Sequence, residues 1–150
     1  MSVRPRVYAA HPMAAYGTIY ERRSLAAIRR LLPGVELVDP AGRYTTDAGW
    51  LRAWPRLVRT LSGVVVFAAE DGTVGTGCLR EIADAMTWLL PVAVLGDGHL
   101  CELAGLDLVP DSGRTARRAA FPVPGEPVAW ELLRGALVTL PPPADRSRRP

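Results

Sequence analysis

One carboxylate, Glu81, has the setting in this 150-residue chain that best suits a chemical role. The apolar run of residues 64–69 predicts a fully buried strand, and a glycine-rich segment, residues 72–77, leads from it into an amphipathic helix that contains Glu81. In open α/β sheets, ligands bind in the crevice outside the carboxyl ends of the strands. We therefore expect Glu81 to face a ligand; the alternative is a solvated acid favoured by the dipole of its helix.

Polar side chains also follow or end the other predicted strands. Because crossovers between parallel strands are right-handed, the loops after these strands are expected to lie at one edge of the sheet. The residues that this geometry groups with Glu81 are Tyr8, His11, Tyr16, Glu70 and Asp71. Each also has a purely structural interpretation, as a half-buried strand residue or as an ordinary surface loop residue.

Short apolar runs alternate with amphipathic segments along the chain. Strands are predicted at residues 6–10, 35–38, 64–69 and 92–95, with a weaker one at 106–109. Helices are predicted after Thr18 as N-cap, from Asp47 with Pro55 in the first turn or at a kink, over residues 78–90, and within residues 125–137. This alternation predicts a doubly wound α/β domain, flavodoxin- or Rossmann-like, with a mainly parallel sheet of about five strands. We assign residues 1–140 to this domain and residues 141–150 to a Pro- and Arg-rich disordered tail.

Composition limits the expected partners. All 18 basic residues are Arg, so the arginines reflect a compositional bias as much as chosen ligands. The net charge is only +3 and no clustered basic stripe is evident, so a nucleic-acid polymer is not expected as a partner. No apolar stretch reaches the length of a membrane span and no signal peptide is evident, so we expect a cytoplasmic protein without a membrane partner. Cys78 and Cys101 lack the spacing of a metal site, and no metal is predicted.

Two segments of the chain resemble the nucleoside 2-deoxyribosyltransferase family, which includes nucleotide N-glycoside hydrolases. Residues 7–13, Val-Tyr-Ala-Ala-His-Pro-Met, resemble the opening strand of the family with its Tyr. Residues 64–85 combine a buried strand, an acidic and glycine-rich loop and Glu-Ile-Ala-Asp-Ala, and they resemble the segment that carries the nucleophile of the family.

The resemblance implies an enzyme that cleaves the N-glycosidic bond of a small-molecule nucleoside or nucleotide, without a cofactor. In the family, a Glu attacks the anomeric carbon and forms a covalent glycosyl-enzyme, which another base or water then resolves. Glu81 corresponds to that nucleophile, Tyr8 to the Tyr that orients it, and Gly77 to the glycine of the motif. A homo-oligomer is also implied.

The chain departs from the family pattern at three positions. The family acid that handles the base falls on Gly75, a second family Asp falls near Pro55, and His11 stands where the family usually has Gly. The departing base would then be served by Glu70, Asp71 or His11. Because the acid suited to an acceptor base is missing, hydrolysis is favoured over base transfer. The alternative function is a non-catalytic nucleotide-sensing or partner-binding domain of the same fold.

If the substrate carries a phosphate, the N-terminus of the first helix is its expected site. Arg22 and Arg23 lie near Thr18 and could bind it; the alternative is a solvated helix face. Trp50 and Trp54 could stack on a base or could belong to the core. The predicted substrate-binding residues are Tyr16, Gly17, Thr18, Arg22, Arg23, Gly75 and Gly77.

Overall fold

The computed structural model describes residues 4–43, 46–110 and 118–128. Within these ranges the strands are β1 (Arg6–Ala10), β2 (Glu36–Val38), β3 (Gly63–Val66), β4 (Val74–Gly75), β5 (Val92–Gly96), β6 (His99–Leu108) and β7 (Ala119–Pro127). The α-helices are α1 (Ile19–Leu31), α2 (Asp47–Leu57) and α3 (Thr76–Thr87). All seven strands join one sheet in the order β2-β1-β3-β5-β6-β7-β4. The described chain is therefore an α/β structure with a mixed sheet.

The four stronger strands of the sequence analysis are present as β1, β2, β3 and β5, and they pair in parallel. β1 and β3 are rich in Val and Ala and are buried along nearly their whole length, as is typical of strands covered on both faces. On β1, Val7 and Ala9 pack with α1, whereas Tyr8 and Ala10 pack with α2 and α3. The alternation of side chains along a strand thus directs Tyr8 toward the face that carries Glu81.

The second half of the sheet differs from the expected parallel arrangement of about five strands. β6 runs antiparallel to β5, and β7 runs antiparallel to β6. The physical reason is the two-residue loop Asp97-Gly98, in which both residues have positive φ, 47° and 78°, as in the tight hairpin turns that Asp-Gly favours. The weaker strand predicted at residues 106–109 is the end of β6, in an antiparallel position.

Most of the segment within which the last helix is predicted, residues 125–137, lies outside the described residues. Residues 125–127 belong to β7, while residues 129–150, with the end of the assigned domain and the tail, lie outside the described residues. At the start of that segment, pairing with β6 stabilises an extended chain, because strand formation depends on neighbours more than on local propensity. Gly125 shows how close the pairing is, since a Cβ on it would lie 3.3 Å from the Cβ of Ala104.

Side-chain caps define where the first two helices begin. Thr18 is the N-cap of α1, as predicted, and its Oγ1 accepts a hydrogen bond from the backbone N of Glu21 at 3.1 Å. This is the first half of a capping box. α2 is capped by Thr46 and not by Asp47, because the Oγ1 of Thr46 accepts from the backbone N of Gly49 at 3.0 Å.

Two helix interiors also depart from the sequence expectation. Pro55 lies near the end of α2, not in its first turn, and the chain tightens into a 3-10 turn at Val58–Thr60, consistent with the missing N–H of proline. α3 is shifted toward the N-terminus relative to the predicted residues 78–90, with Gly75 as its N-cap. In the described part of the chain, none of the helices combines the length and the apolar character that a membrane crossing requires.

The packing of α1 can be tested with a pair of isoleucines. Ile28 is fully buried against the β1 face, whereas Ile19 is 56% exposed on the same helix. Ile28→Ala should lower the free energy of unfolding by about 2–4 kcal/mol because it leaves a cavity, and Ile19→Ala should change it by less than about 0.5 kcal/mol. Urea denaturation measures both; equal losses in the two variants would show that α1 presents a different face to the sheet.

Candidate active site

Glu81 is buried at the carboxyl edge of the parallel strands, in the second turn of α3. Only 3% of Glu81 is exposed to solvent. The Tyr8 hydroxyl donates a hydrogen bond to Glu81 Oε2, and Trp50 Nε1 donates to the same oxygen at 2.9 Å. The donors come from β1 and α2, so the carboxylate joins three elements.

Both donors leave the second oxygen of the carboxylate free. Among the described residues no hydrogen bond reaches Glu81 Oε1, and in the same residues no fully occluded side-chain oxygen lacks a partner. Oε1 therefore keeps contact with solvent. A carboxylate with one oxygen held and the other open is suited to attack or to proton transfer at that open oxygen.

The environment of Glu81 places its ionisation near neutrality. Burial raises the pKa of Glu81 to about 7, although the hydrogen bonds from Tyr8 and Trp50 lower it and the charge of Asp84 raises it slightly. Burial disfavours the charged form of an acid, whereas donated hydrogen bonds favour it. Burial raises the pKa of Tyr8 above its ordinary value, and the charge of Glu81 raises it further. Tyr8 therefore keeps its proton and remains a donor.

Ring contacts with Trp54 hold the two donors, Tyr8 and Trp50, in place. The Tyr8 ring packs on Trp54 at 4.9 Å between centroids, and the Trp50 and Trp54 rings stack at 6.0 Å. Trp54 is fully buried, and its Nε1 donates to Asp84 Oδ2 at 2.8 Å. The two tryptophans, one turn apart on α2, thus pair with two acids one turn apart on α3.

His11 lies on the other face of β1, in a group of its own. It is 3% exposed and stacks on Phe67 at 4.3 Å. His11 Nδ1 lies 2.8 Å from Ala9 O, and His11 Nε2 lies 2.7 Å from Glu21 Oε2 and 3.8 Å from Asp39 Oδ1. Since a carbonyl oxygen can only accept, Nδ1 carries a proton.

The hydrogen bonds of His11 leave neither nitrogen open to a ligand. Its Nε2 is occupied by Glu21, and Glu21 Oε1 in turn accepts from the backbone N of Gly17 at 3.1 Å. The predicted role of His11 in serving the base is therefore not supported by its contacts. Donor atoms of His11, Glu21 and Asp39 lie within 4.8 Å of one another, a set that could ligate a divalent cation, but hydrogen bonds within the group already account for the arrangement.

Tyr16 lies between the residues around Glu81 and the residues around His11. Its ring meets His11 edge-on at 5.1 Å between centroids. Burial raises the pKa of Tyr16, and the charges of Glu81, Cys78 and Asp39 raise it further, so acids from both groups act on this phenol. No hydrogen bond within the described residues occupies its hydroxyl, which leaves Tyr16 as a protonated donor beside Glu81.

The acidic loop predicted to assist the reaction folds back on itself. Glu70 and Asp71 are exposed, and no hydrogen bond or ion pair in the described chain joins either of them to Glu81. Asp71 Oδ1 instead accepts from the backbone N and the hydroxyl of Thr73, at 2.9 and 2.8 Å, and these bonds lower the pKa of Asp71. The loop makes a tight turn, with Gly72 at φ 86°.

An acid, Glu21, lies beside the predicted phosphate site at the start of α1. Glu21 accepts from Gly17 N there, whereas Arg22 and Arg23 are exposed and make no contact with the groups around Glu81 or His11. Of the predicted glycines, Gly75 is the N-cap of α3 and Gly77 lies exposed in its first turn. A Cβ added at either glycine would have no other heavy atom within 4 Å.

Three members of the site were missed as polar partners in the sequence: Trp50, Glu21 and Asp39. The spacing of Trp50 and Trp54, four residues apart, and of Glu81 and Asp84, three residues apart, was a usable signal, because each pair faces one side of a helix. The sequence analysis recognised Glu21 as a capping residue. Its contact with His11 was not evident there, because it depends on where the fold places His11.

Comparisons of the chain with protein-family models, with curated proteins and with solved structures find no match. The family resemblance of residues 7–13 and 64–85 therefore stands on those residues alone. The chemical argument depends on the geometry around Glu81.

Glu81→Gln should stabilise the protein at pH 8 and change its stability little at pH 5. The carboxyl has an ordinary pKa of 4.5 and a folded pKa of about 7, so the wild type loses stability as the pH rises through that interval. The loss approaches roughly 3 kcal/mol at the upper end, and the neutral amide avoids it while still accepting both hydrogen bonds. Urea denaturation at both pH values measures the difference, with the exposed Glu102→Gln as control. A variant less stable than the wild type at pH 8 would contradict the assignment.

Proposed function

We propose that the protein cleaves the N-glycosidic bond of a nucleoside or nucleoside 5′-monophosphate, with Glu81 as the nucleophile. The observation that carries this proposal is the buried Glu81 carboxylate, held at one oxygen by Tyr8 and Trp50 and open at the other. The proposal includes the resemblance to the nucleoside 2-deoxyribosyltransferase family. It also describes the parallel half of the sheet as doubly wound and Rossmann-like.

In the proposed reaction, Glu81 Oε1 attacks the anomeric carbon of the sugar. A bond forms between oxygen and carbon, the carbon–nitrogen bond breaks, and its electron pair leaves with the base as an anion, which later takes up the proton that the attacking water loses. Water then attacks the glycosyl ester, releases the sugar and restores the carboxylate. Tyr8 and Trp50 fix Oε2, so that Oε1 keeps one direction of attack.

The departing base needs a hydrogen-bond donor, and Tyr16 is the best placed of the described residues. It stands within the field of Glu81 and Asp39 and keeps its proton. His11 and Asp71 are engaged in hydrogen bonds of their own. A protonated tyrosine donates a hydrogen bond without supplying a proton readily, which suits a base that is already a good leaving group.

The acids around the site favour a substrate without a phosphate. Glu21 places a carboxylate in the first turn of α1, where it accepts from Gly17 N and would repel a phosphate, and Asp39 and Glu81 add negative charge that acts on Tyr16. The same carboxylates can accept hydrogen bonds from sugar hydroxyls. A free nucleoside therefore fits this edge better than a 5′-monophosphate.

A non-catalytic nucleotide-sensing domain is the second candidate function. The observation that favours it is the engagement of His11 with Glu21 and Ala9, together with the self-contained turn at Asp71. These contacts leave the site without a strong acid for the base. A domain of this kind would bind the ligand and release no product.

Incubation with a panel of nucleosides and 5′-monophosphates should release free base, and Glu81→Gln should reduce the rate by about 10³-fold or more, because the covalent step is lost. Glu102→Gln, an exposed residue of β6, is the matched control and should retain activity. Free sugar is expected even with excess acceptor base, since no acid side chain stands at Gly75 to hold that base. A new nucleoside as main product would favour transfer, and bound ligand without base release would favour sensing.

The pH dependence should identify Glu81 as the ionised nucleophile. Its pKa is raised to about 7, so kcat/KM should rise as the pH increases through that value and the carboxylate forms. Trp50→Phe removes a hydrogen bond that lowers this pKa, so the rising limb should move to higher pH. Trp88→Phe provides a control with the same change of residue. A limb that falls through neutral pH would indicate that Glu81 acts as an acid instead.

A further inference from the structure

An arginine-lined groove lies on the outer side of α2, apart from the Glu81 site. It encloses about 490 Å³, and its lining residues are Arg6, Arg43, Arg52, Ala53, Arg56, Leu57 and Thr60. Trp50 and Trp54 face α3 from the inner side of α2, whereas Arg52 and Arg56 are exposed. None of the lining residues contributes to the Glu81 or His11 groups.

One of the four guanidinium groups in the groove is neutralised and held in place. Arg6 Nε lies 3.3 Å from Glu36 Oε2, and Arg6 Nη1 donates to Thr60 Oγ1 at 2.5 Å. The Thr60 hydroxyl in turn donates to Leu57 O at 2.8 Å. This end of the groove is therefore built from fixed polar groups.

The other three arginines form no ion pair with an acid whose side chain the structure describes. Arg43 and Arg56 make no ion pair with the described residues, and Arg52 makes a single hydrogen bond, from Nε to Ala48 O at 3.4 Å. Like charges that share a groove repel one another. Their convergence is favourable when an anion lies between them.

We propose that this groove binds a ligand with several phosphate groups in series. Guanidinium groups match phosphate geometry with paired hydrogen bonds, and Arg52 and Arg56, one turn apart, can contact successive phosphates. None of the described lining residues is aromatic, so the proposal rests on recognition of the phosphates and not on stacked bases. Inorganic polyphosphate and the phosphodiester chain of a single-stranded nucleic acid share this chemistry.

The proposal departs from the sequence analysis, which did not expect a nucleic-acid polymer as a partner. The arginines of the groove are scattered between residues 6 and 56 and form no run in the sequence, so a basic stripe was not evident there. The proposal does not depend on the reaction proposed for Glu81, because the two sites share no side chain.

The test compares two double variants with the same change in net charge. Arg52→Ala with Arg56→Ala alters the groove, and Arg29→Ala with Arg30→Ala alters two exposed arginines of α1, which packs on the other face of the sheet. The probes are inorganic tripolyphosphate, by calorimetry, and a fluorescent single-stranded oligonucleotide, by anisotropy, both in low salt. We expect the groove variant to weaken binding by about tenfold or more and the α1 variant by less than about twofold.

Salt titration of oligonucleotide binding provides a second readout. Loss of two phosphate contacts should reduce the slope of log Kd against log salt by about 1.4. If the double groove variant does not fold, Arg43→Ala, at an exposed loop position, tests the same groove. Binding of one probe alone supports the proposal and identifies the source of the phosphates. Equal weakening by both double variants, or no binding of either probe by the wild type, would overturn it.

Discussion

The hydrogen bonds from Tyr8 and Trp50 to the buried carboxylate of Glu81 are the contacts on which the site depends. Burial alone would keep this acid protonated, and the two donors restore part of its acidity, so the pKa of Glu81 comes to about 7. The donors come from β1 and α2, and Glu81 lies on α3. The pKa of Glu81 therefore depends on the relative positions of these three elements. Packing of the Trp54 ring on Tyr8 and Trp50 stabilises those positions.

The sheet separates two polar groups that differ in their freedom to react. The Glu81 group on the α2 and α3 face has an unoccupied carboxylate oxygen, whereas the His11 group on the α1 face satisfies its own donors and acceptors. Tyr16 lies between them and experiences the charges of both. A buried polar network that is fully satisfied fixes a structure, so we interpret the His11 group as the support of the loop that carries Tyr16.

The charge distribution divides the molecule into an acidic edge and a basic groove. Carboxylates of Glu21, Asp39 and Glu81 surround Tyr16 at the carboxyl edge of the strands, and arginines line the outer side of α2. Ligands of opposite character are expected at these two places, a neutral polyhydroxyl compound at the edge and a phosphate chain in the groove. The same helix, α2, serves both, because its tryptophans face inward and its arginines face outward.

The sequence by itself determined the parallel half of the sheet, the Thr18 cap and the position of Glu81 after a buried strand, because hydrophobic runs and capping residues act over short distances. It did not determine the antiparallel strands β6 and β7, although Asp97-Gly98 carried a local signal for the turn from β5 into β6. Only the tertiary structure decided which polar residues meet. Glu81 is 73 residues from Tyr8 and 31 from Trp50, and contacts over such separations depend on how elements pack. Asp71, close to Glu81 in sequence, is instead hydrogen-bonded to Thr73 within its own loop.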